Sequence, residues 1–242
     1  MNKKFYLSII IPLYGPNCAA VSARLFASLA TLKVSVPIQY LIYYDDTVPA
    51  KAVEQIRYLF TIHGNKNVTV KIIYSANTSS GYKRNQGVIE GCATSELIWF
   101  IDQDDFLITD SLDDVIRCAM KVAKTDKIPV FGIKFQRPQD NRYETNIDKI
   151  IIMPWQYLYD ADRVKDYRFS ETFEMGSDLP FVWKILSDFS GEQEEQKIET
   201  KYYVRPIYFY NYMNVDSCSF KYFVIDGNRE TESLAKDILK NG

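Results

Sequence analysis

The sequence predicts an α/β fold with a mainly parallel central sheet and helices on both faces. Through the first 125 residues, short apolar runs rich in β-branched side chains alternate with segments whose apolar residues recur at helical spacing. Apolar residues also make up 47% of the 242-residue chain, which is sufficient for a buried core. We therefore expect a single compact unit built on this alternation.

Four apolar runs predict the strands of the first half. Each run is short and rich in β-branched or aromatic residues, and the first is continuously apolar, as expected for a strand that is covered on both faces. The runs are residues 7–11, 38–44, 68–74 and 97–101. Pro12 and the Gly15-Pro16 pair end the first run, and Asp45-Asp46 closes the second.

Four helices are predicted from apolar residues that lie three or four positions apart. The residues that define them are Leu25, Leu29 and Leu32; Val53, Ile56 and Phe60; Val88, Ile89 and Cys92; and Leu112, Val115, Ile116, Ala119 and Val122. These helices alternate with the strands, which favours parallel strand pairing through crossover connections.

After residue 125 the alternation weakens. We predict a strand over 130–135, a polar loop over 137–148, a helix over 178–189, a solvated acidic stretch over 191–200, an aromatic-rich strand over 202–212 and a short amphipathic helix over 230–240. The helix over 178–189 is expected to bury Leu179, Val182, Trp183 and Leu186. Pro206 places the aromatic-rich strand near a sheet edge.

Charge, cysteine content and hydropathy limit the classes of protein to which the chain can belong. The chain has 29 Lys and Arg against 31 Asp and Glu, and this balance argues against nucleic acid as its main partner. The sequence does not favour a conventional zinc site, because its possible Cys and His ligands are widely separated. They are Cys18, Cys92, Cys118, Cys218 and the single His63. We expect reduced thiols, no signal peptide and a cytoplasmic protein without a membrane span; peripheral contact with the inner face of a membrane stays open.

Polar residues follow the ends of the four predicted strands. They are Tyr14 after the first, Asp45 and Asp46 after the second, Asn77 after the third, and Asp102, Asp104 and Asp105 after the fourth. The carboxyl ends of parallel strands meet at one edge of a sheet, and ligands of such folds bind there. The sequence therefore predicts a ligand site lined by carboxylates and an aromatic ring.

The sequence Asp102-Gln103-Asp104-Asp105 carries the strongest chemical signal. Three carboxylates within four residues repel one another, and a divalent cation relieves that repulsion. Hard oxygen ligands favour Mg²⁺ or Mn²⁺. An acidic loop of this kind can also be merely solvated. Because this loop directly follows a buried strand, we give metal binding and simple solvation equal weight.

Several other motifs are absent from the sequence. There is no G-x-G-x-x-G after the first strand and no G-x-x-x-x-G-K-[ST], so the dinucleotide-binding and P-loop interpretations lose their main support. There is no G-x-S-x-G, and His63 falls at a predicted helix end, which disfavours a Ser-His-Asp or Cys-His hydrolase.

Seven segments, in order, resemble the family-2 glycosyltransferases of the GT-A fold. The segments are residues 7–14 (LSIIIPLY), 43–46 (YYDD), 84–87 (RNQG), 97–105 (LIWFIDQDD), 153–163 with 168–169, 176–181 (GSDLPF) and 206–210 (PIYFY). The resemblance implies an inverting, metal-dependent sugar transfer from a nucleotide-sugar donor, UDP-linked by preference, to a saccharide or lipid-linked saccharide acceptor in cell-surface polysaccharide synthesis. Together with the loss of alternation after residue 125, it leads us to expect one compact catalytic domain with a nucleotide-sugar-binding half (1–125), an acceptor-binding half (126–220) and a C-terminal helical tail (221–242).

The resemblance implies a role for each donor-site residue. Tyr14 would stack on the nucleobase, in a pocket shaped by Pro12. Asp46, together with Asp45, would accept a hydrogen bond from the base, and Arg84 would line the donor site.

The resemblance also assigns the catalytic groups. Asp102 would hold the ribose or sugar hydroxyls and contribute to the metal site, and Asp104 would bind the Mn²⁺ or Mg²⁺ that supports the diphosphate. Asp178 would be the general base that activates the acceptor hydroxyl. Asp178 is also in a suitable place for a helix N-cap, which is the competing interpretation.

Four residues depart from the family pattern. Thr47-Val48 replaces the Gly-Ser of the usual D-D-G-S turn, Lys83 replaces an Ala, and Ser177 replaces a Glu. No histidine follows the last predicted strand, which leaves any third protein ligand to the metal open.

Two other functions remain as alternatives. A sugar-phosphate nucleotidyltransferase also uses an α/β nucleotide fold with Mg²⁺, but it usually carries a glycine-rich loop that Gly15-Pro16 replaces poorly. A catalytically inactive, transferase-like binding protein is the other, and the presence of Asp102, Asp104 and Asp178 weighs against it.

Overall fold

The computed structural model describes residues 3–125, 130–136, 143–144, 153–172, 178–190 and 202–211. Within these residues, nine strands form one sheet. The strands are β1 (Phe5–Pro12), β2 (Ile38–Tyr44), β3 (Val68–Tyr74), β4 (Ser95–Phe100), β5 (Phe106–Leu107), β6 (Val130–Gln136), β7 (Tyr143–Glu144), β8 (Tyr157–Asp160) and β9 (Tyr202–Phe209).

Seven α-helices accompany the sheet in the same described residues. They are α1 (Cys18–Val21), α2 (Ala23–Ala30), α3 (Ala50–His63), α4 (Ser80–Thr94), α5 (Asp113–Ala123), α6 (Ala161–Val164) and α7 (Leu179–Ser190), with a 3₁₀ turn at Pro154–Gln156. The predicted helices of the first half correspond to α2, α3, α4 and α5. None of the described helices is long and apolar enough to cross a membrane.

The sheet has the order β3-β2-β1-β4-β8-β6-β9-β5, and β7 pairs with β6. The first four of these strands are mutually parallel. β8 is antiparallel to both β4 and β6, while β6 and β9 are parallel. The two predicted halves of the chain therefore share one continuous sheet, and the predicted α/β fold with a mainly parallel core is confirmed.

The central strands are buried because they are apolar on both faces. Two segments are almost completely shielded from solvent: residues 9–11 in β1, and residues 97–101, which include most of β4 and the residue after it. β3 lies at the sheet edge, and its residues are half-buried apart from the exposed Tyr74. Continuous apolar runs thus mark the strands that helices cover on both sides.

Helix α4 packs unusually close to β1 because glycine occupies its contact positions. A Cβ atom built on Gly87 would lie 2.3 Å from Cγ2 of Ile10, and one on Gly91 would lie 3.0 Å from Cγ2 of Ile98. No side chain fits at the first of these distances. The close approach brings the first turns of α4 up to the carboxyl edge of the sheet, where the buried residues Lys83, Arg84 and Asn85 lie.

Two residues assigned to helix cores by their spacing are exposed. Ile89 is 51% exposed, since one residue beyond Val88 the helix has turned about 100° away from the sheet. Trp183 is 36% exposed, and the described buried residues of α7 are Phe181, Val182 and Ile185. The prediction that Ile89 and Trp183 share the apolar face of their helices was therefore wrong.

The strand predictions of the second half are confirmed in part. β6 and β9 lie where predicted, and β9 is one strand in from the edge formed by the two-residue β5. Register irregularities flank Lys134, which pairs with Pro206. The predicted loop over 137–148 contains the short β7, and its other residues from 137 to 148 lie outside the described residues, as do 191–200, 212 and the predicted tail 221–242.

Candidate active site

The carboxyl ends of β1, β2 and β4 meet at one edge of the sheet, as predicted. Strand order changes direction here, because β2 and β4 lie on opposite sides of β1. Pro12 is buried at the end of β1, and Tyr14 two residues later is 39% exposed. The Tyr14 ring thus stands at the mouth of the crevice that the fold provides for a ligand.

Asp45 is buried and fully engaged. It forms an ion pair with Lys83, and its Oδ1 accepts hydrogen bonds from the Thr47 backbone N–H (2.7 Å) and hydroxyl (2.5 Å). Burial works to raise the pKa of Asp45, but the hydrogen bonds from Lys83 and Thr47 outweigh it and lower the pKa. Thr47 Oγ1 also accepts from the Gly15 N–H at 2.8 Å. The departure from D-D-G-S therefore adds a hydroxyl that joins the β1 and β2 loops.

Lys83 is the buried cation that neutralises Asp45. Its ammonium group also donates to the Leu13 carbonyl at 2.8 Å and to the Thr78 carbonyl at 3.3 Å, and it lies 6.0 Å from the centroid of the Tyr14 ring. Burial lowers the pKa of Lys83, against the opposing effect of Asp45. One side chain thus joins the loops that follow β1, β2 and β3.

Asp46 faces solvent at the same edge. Its Oδ2 accepts a hydrogen bond of 2.9 Å from the Tyr74 hydroxyl, and the Tyr74 ring packs edge-on against Tyr44 at 5.7 Å between centroids. Of the two predicted base-reading aspartates, Asp46 is therefore the one whose carboxylate lies at the surface.

Arg84 forms an ion pair with Asp102 inside the crevice. Its guanidinium lies 5.5 Å from the centroid of the Phe169 ring. Burial works to lower the pKa of Arg84, but the negative charges of Asp102 and Asp178 outweigh it and raise the pKa. The negative charge of Asp178 thus favours the charged form of Arg84.

Asp178 immediately precedes α7 and is half-buried. Its backbone carbonyl accepts the Val182 N–H at 3.0 Å, which is the first hydrogen bond of the helix. Burial, the neighbouring Tyr157 and the charge of Asp178 all raise the pKa of Tyr159. Arg84 lies over the Phe169 ring, and that ring stacks on Phe181 of α7, three residues after Asp178. These contacts bring Asp178 to the same region as Arg84, although the two are far apart in the sequence.

Asn85 connects the two halves of the site and was missed by the sequence analysis. Its Oδ1 accepts the Phe169 N–H at 2.7 Å, and its Nδ2 donates to the Phe169 carbonyl (3.1 Å) and to Glu171 (2.7 Å). The Phe169 ring stacks on Phe181 of α7 at 4.1 Å. This chain of contacts runs from α4 to the helix that Asp178 precedes.

Asp105 is buried behind the site. Its carboxylate accepts hydrogen bonds from the Tyr208 hydroxyl and from the Asn211 N–H, the latter at 2.7 Å. Burial, followed by the charges of Asp104 and Asp102, raises the pKa of Asp105 well above its usual range. Asp105 therefore links the loop that follows β4 to β9 and to Asn211.

The Asp102-x-Asp104 pair suits a divalent cation that a diphosphate also ligates. Both aspartates are half-buried at the carboxyl end of β4. The described residues contain no group of three or more histidine, cysteine or acidic side chains that could hold a metal without other ligands. Mg²⁺-type ions commonly bind to one or two carboxylates and take substrate phosphates and water as the remaining ligands. The donor set therefore fits such an ion.

Neither a family model nor a curated protein matches the sequence. Similar solved structures exist. S. aureus TarS 1–349 with UDP-GlcNAc is 16% identical with a TM-score of 0.61, over 85% of this chain and 58% of that one. The same protein with UDP gives 15% identity and a TM-score of 0.62, over 94% and 72%.

A second kind of neighbour is the mannosyltransferase PcManGT from Pyrobaculum calidifontis in complex with GDP-Man and Mn²⁺. It is 11% identical with a TM-score of 0.57, over 85% of this chain and 56% of that one. The chain has a GT-A-like fold. It spans 58% of the TarS structure with UDP-GlcNAc. At these identities the likeness establishes the fold, and the activity is argued from the site.

Proposed function

We propose that this protein transfers a sugar from a nucleotide-diphosphate sugar, with UDP as the preferred nucleotide, to a hydroxyl of a saccharide or lipid-linked saccharide. The observation that carries the proposal is the convergence of Tyr14, the Arg84–Asp102 pair and Asp178 at the carboxyl edge of a GT-A-like sheet. Neighbours of the same fold hold UDP, UDP-GlcNAc or GDP-Man.

The donor's base fits the end of the crevice formed by β1 and β2. The exposed Tyr14 ring offers a stacking surface, and the resemblance gives the buried Pro12 a part in shaping the pocket. Asp46 is the accessible acceptor for a base N–H, whereas both Asp45 oxygens already accept hydrogen bonds from Lys83 and Thr47. A uracil ring donates such an N–H from N3, and the preference for UDP over GDP or ADP rests on the resemblance of the Tyr14 and Asp46 pair to the uracil pocket of family-2 glycosyltransferases.

The diphosphate fits beside Arg84, Asp102 and Asp104. When bound by Asp102 and Asp104, Mn²⁺ or Mg²⁺ would act as a Lewis acid that compensates the charge of the leaving nucleoside diphosphate. Arg84 supplies a permanent positive charge at the same place and, through its ion pair, holds Asp102 in a fixed orientation.

Asp178 is the proposed general base. The acceptor oxygen forms a bond to the anomeric carbon as the bond from that carbon to the diphosphate oxygen breaks. The hydroxyl proton passes to the Asp178 carboxylate, and the nucleoside diphosphate departs with the bonding electron pair. This single displacement inverts the anomeric carbon. We place the reaction in cell-surface polysaccharide synthesis, on the resemblance to family-2 enzymes.

Calorimetric titration with UDP, GDP and ADP, each with Mn²⁺ and with EDTA, tests the proposal. We expect UDP to bind most tightly, and Mn²⁺ to strengthen its binding. Equal UDP affinity in EDTA would remove the metal from the proposal. Tighter GDP binding would overturn the uracil assignment, and no binding of any nucleotide would overturn the function.

A further inference from the structure

Gln103 is the middle residue of Asp102-Gln103-Asp104, and its side chain is only 5% exposed. Its Oε1 accepts the Tyr14 backbone N–H at 3.0 Å, and its Nε2 donates to the Tyr14 carbonyl at 3.2 Å. One side-chain amide thus pairs with both backbone polar groups of Tyr14.

This pairing continues the sheet beyond the point where its main-chain ladder ends. The β1–β4 register stops at Ile10 and Phe100, and the Ile101 N–H makes the next bond, to the Ile10 carbonyl at 3.1 Å. On the other side of β1, the Leu13 N–H still donates to the Tyr43 carbonyl at 2.7 Å. The Gln103 amide replaces a peptide group on the β4 side, because it carries one acceptor and two donors.

The hydrogen bonds from Gln103 hold the backbone immediately before a turn. Gly15 follows Tyr14 with φ +81°, and a Cβ atom there would have no neighbour within 4 Å. The backbone therefore turns at Gly15, directly after Tyr14, and the side-chain position of Gly15 is open. A residue beside such a turn loses conformational entropy when a ligand orders it. Contacts that already order the residue in the free protein reduce the entropy that is lost on binding.

We propose that Gln103 is a positioning residue that fixes the Tyr14 ring at a set distance from the Asp102 and Asp104 carboxylates. Gln103 lies between these two aspartates in the chain, so a shift of the acidic loop moves the ring as well. The inference rests on the proposed function, in which Tyr14 binds the base while Asp102 and Asp104 serve the diphosphate. The binding sites for the base and for the diphosphate of the donor are then held at a fixed distance from each other.

A double-mutant cycle with UDP and Mn²⁺ tests the inference. Gln103→Met keeps the length of the side chain and removes both hydrogen bonds. We expect about tenfold weaker UDP binding, equivalent to ~1.4 kcal/mol. In a Tyr14→Ala background the same change should have no further effect on affinity, because the ring on which Gln103 acts is absent. Binding of Mn²⁺ with inorganic pyrophosphate should be unchanged in Gln103→Met.

Gln39→Met is the matched control. Gln39 is also buried, and its amide donates to Ser8 Oγ (2.7 Å) and Thr94 Oγ1 (2.6 Å), near the amino end of the sheet. The Gln39→Met variant should have a lower melting temperature than the wild-type protein and an unchanged affinity for UDP. If Gln103→Met does not fold, Gln103→Asn replaces it in the same cycle, since a side chain one methylene shorter cannot reach both Tyr14 groups.

The outcomes separate the inference from the function on which it rests. Unchanged UDP affinity in Gln103→Met would overturn the inference, and so would an equal loss in the Tyr14→Ala background, which would indicate general loosening of the fold. Failure of the wild-type protein to bind UDP, GDP or ADP with Mn²⁺ would overturn the proposed function, and the inference with it.

Discussion

Replacing Lys83 with methionine isolates the energy of the buried ion pair at the donor edge. The Lys83 and Asp45 side chains are 0% and 1% exposed, so the variant leaves a carboxylate buried without its cation. Removing one partner of such a pair costs about 3–5 kcal/mol. For a domain of this size, each kcal/mol lowers the melting temperature by roughly 2–4 °C. We therefore expect Lys83→Met to melt about 6–20 °C below the wild-type protein.

The double variant Lys83→Met/Asp45→Asn separates the charge from the packing. The asparagine side chain of the double variant has no charge to bury, and it keeps an oxygen for the two hydrogen bonds from Thr47. Replacing both partners of a buried pair is often close to neutral. We expect the double variant to recover most of the lost stability, measured by thermal and urea unfolding at neutral pH.

The stability deficit of Lys83→Met should depend on pH. The lowered pKa of Asp45 in the wild-type protein means that its contribution to stability is present above about pH 4 and is lost as the pH falls. Without Lys83, burial raises the pKa of Asp45, so protonation relieves the defect. The deficit should therefore shrink as the pH falls from neutral towards about 4. A deficit below about 1 kcal/mol at neutral pH, or no recovery in the double variant, would refute this account of the pair.

Two further variants test the packing and the metal site. Gly87→Ala should destabilise the protein by about 1–3 kcal/mol in urea unfolding, because its Cβ would lie 2.3 Å from Ile10 Cγ2; an unchanged midpoint would show that α4 can move. Asp104→Asn should leave UDP affinity in EDTA unchanged and abolish the gain that Mn²⁺ gives, as measured by calorimetry. Retention of that gain would assign the cation to other ligands.

The first half of the fold could be predicted because its signals are local. Strands buried on both faces are continuous apolar runs, and their turns contain proline, glycine or paired aspartates. The carboxyl-edge residues Tyr14, Asp46 and Asp102 follow from the same pattern, since parallel strands align their ends. The antiparallel insertion of β8 between β4 and β6 has no local signal, because it depends on contacts between residues far apart in sequence.

The supporting residues of the site could not be predicted for a related reason. Lys83 and Gln103 are residue types that usually lie at the surface, and only the packing of α4 and the acidic loop buries them. The substitution of Lys83 for the family's alanine was a visible signal for a special role. Nothing comparable marked Gln103, whose partners are backbone atoms of Tyr14. The exposure of Trp183 similarly depends on which face of α7 meets Phe169, which spacing alone does not give.

The most direct test of the central claim is the turnover of Asp178→Asn beside its affinity for UDP. Asparagine keeps the shape of the side chain and its capacity to cap α7, so stability and UDP binding should change little. Loss of a general base typically lowers the rate by a factor of about 10² to 10⁴. We expect sugar transfer from a UDP-sugar, measured as UDP release with acceptor present, to fall within that range while the UDP dissociation constant stays the same. Near-normal turnover would contradict the assignment of Asp178 as the base.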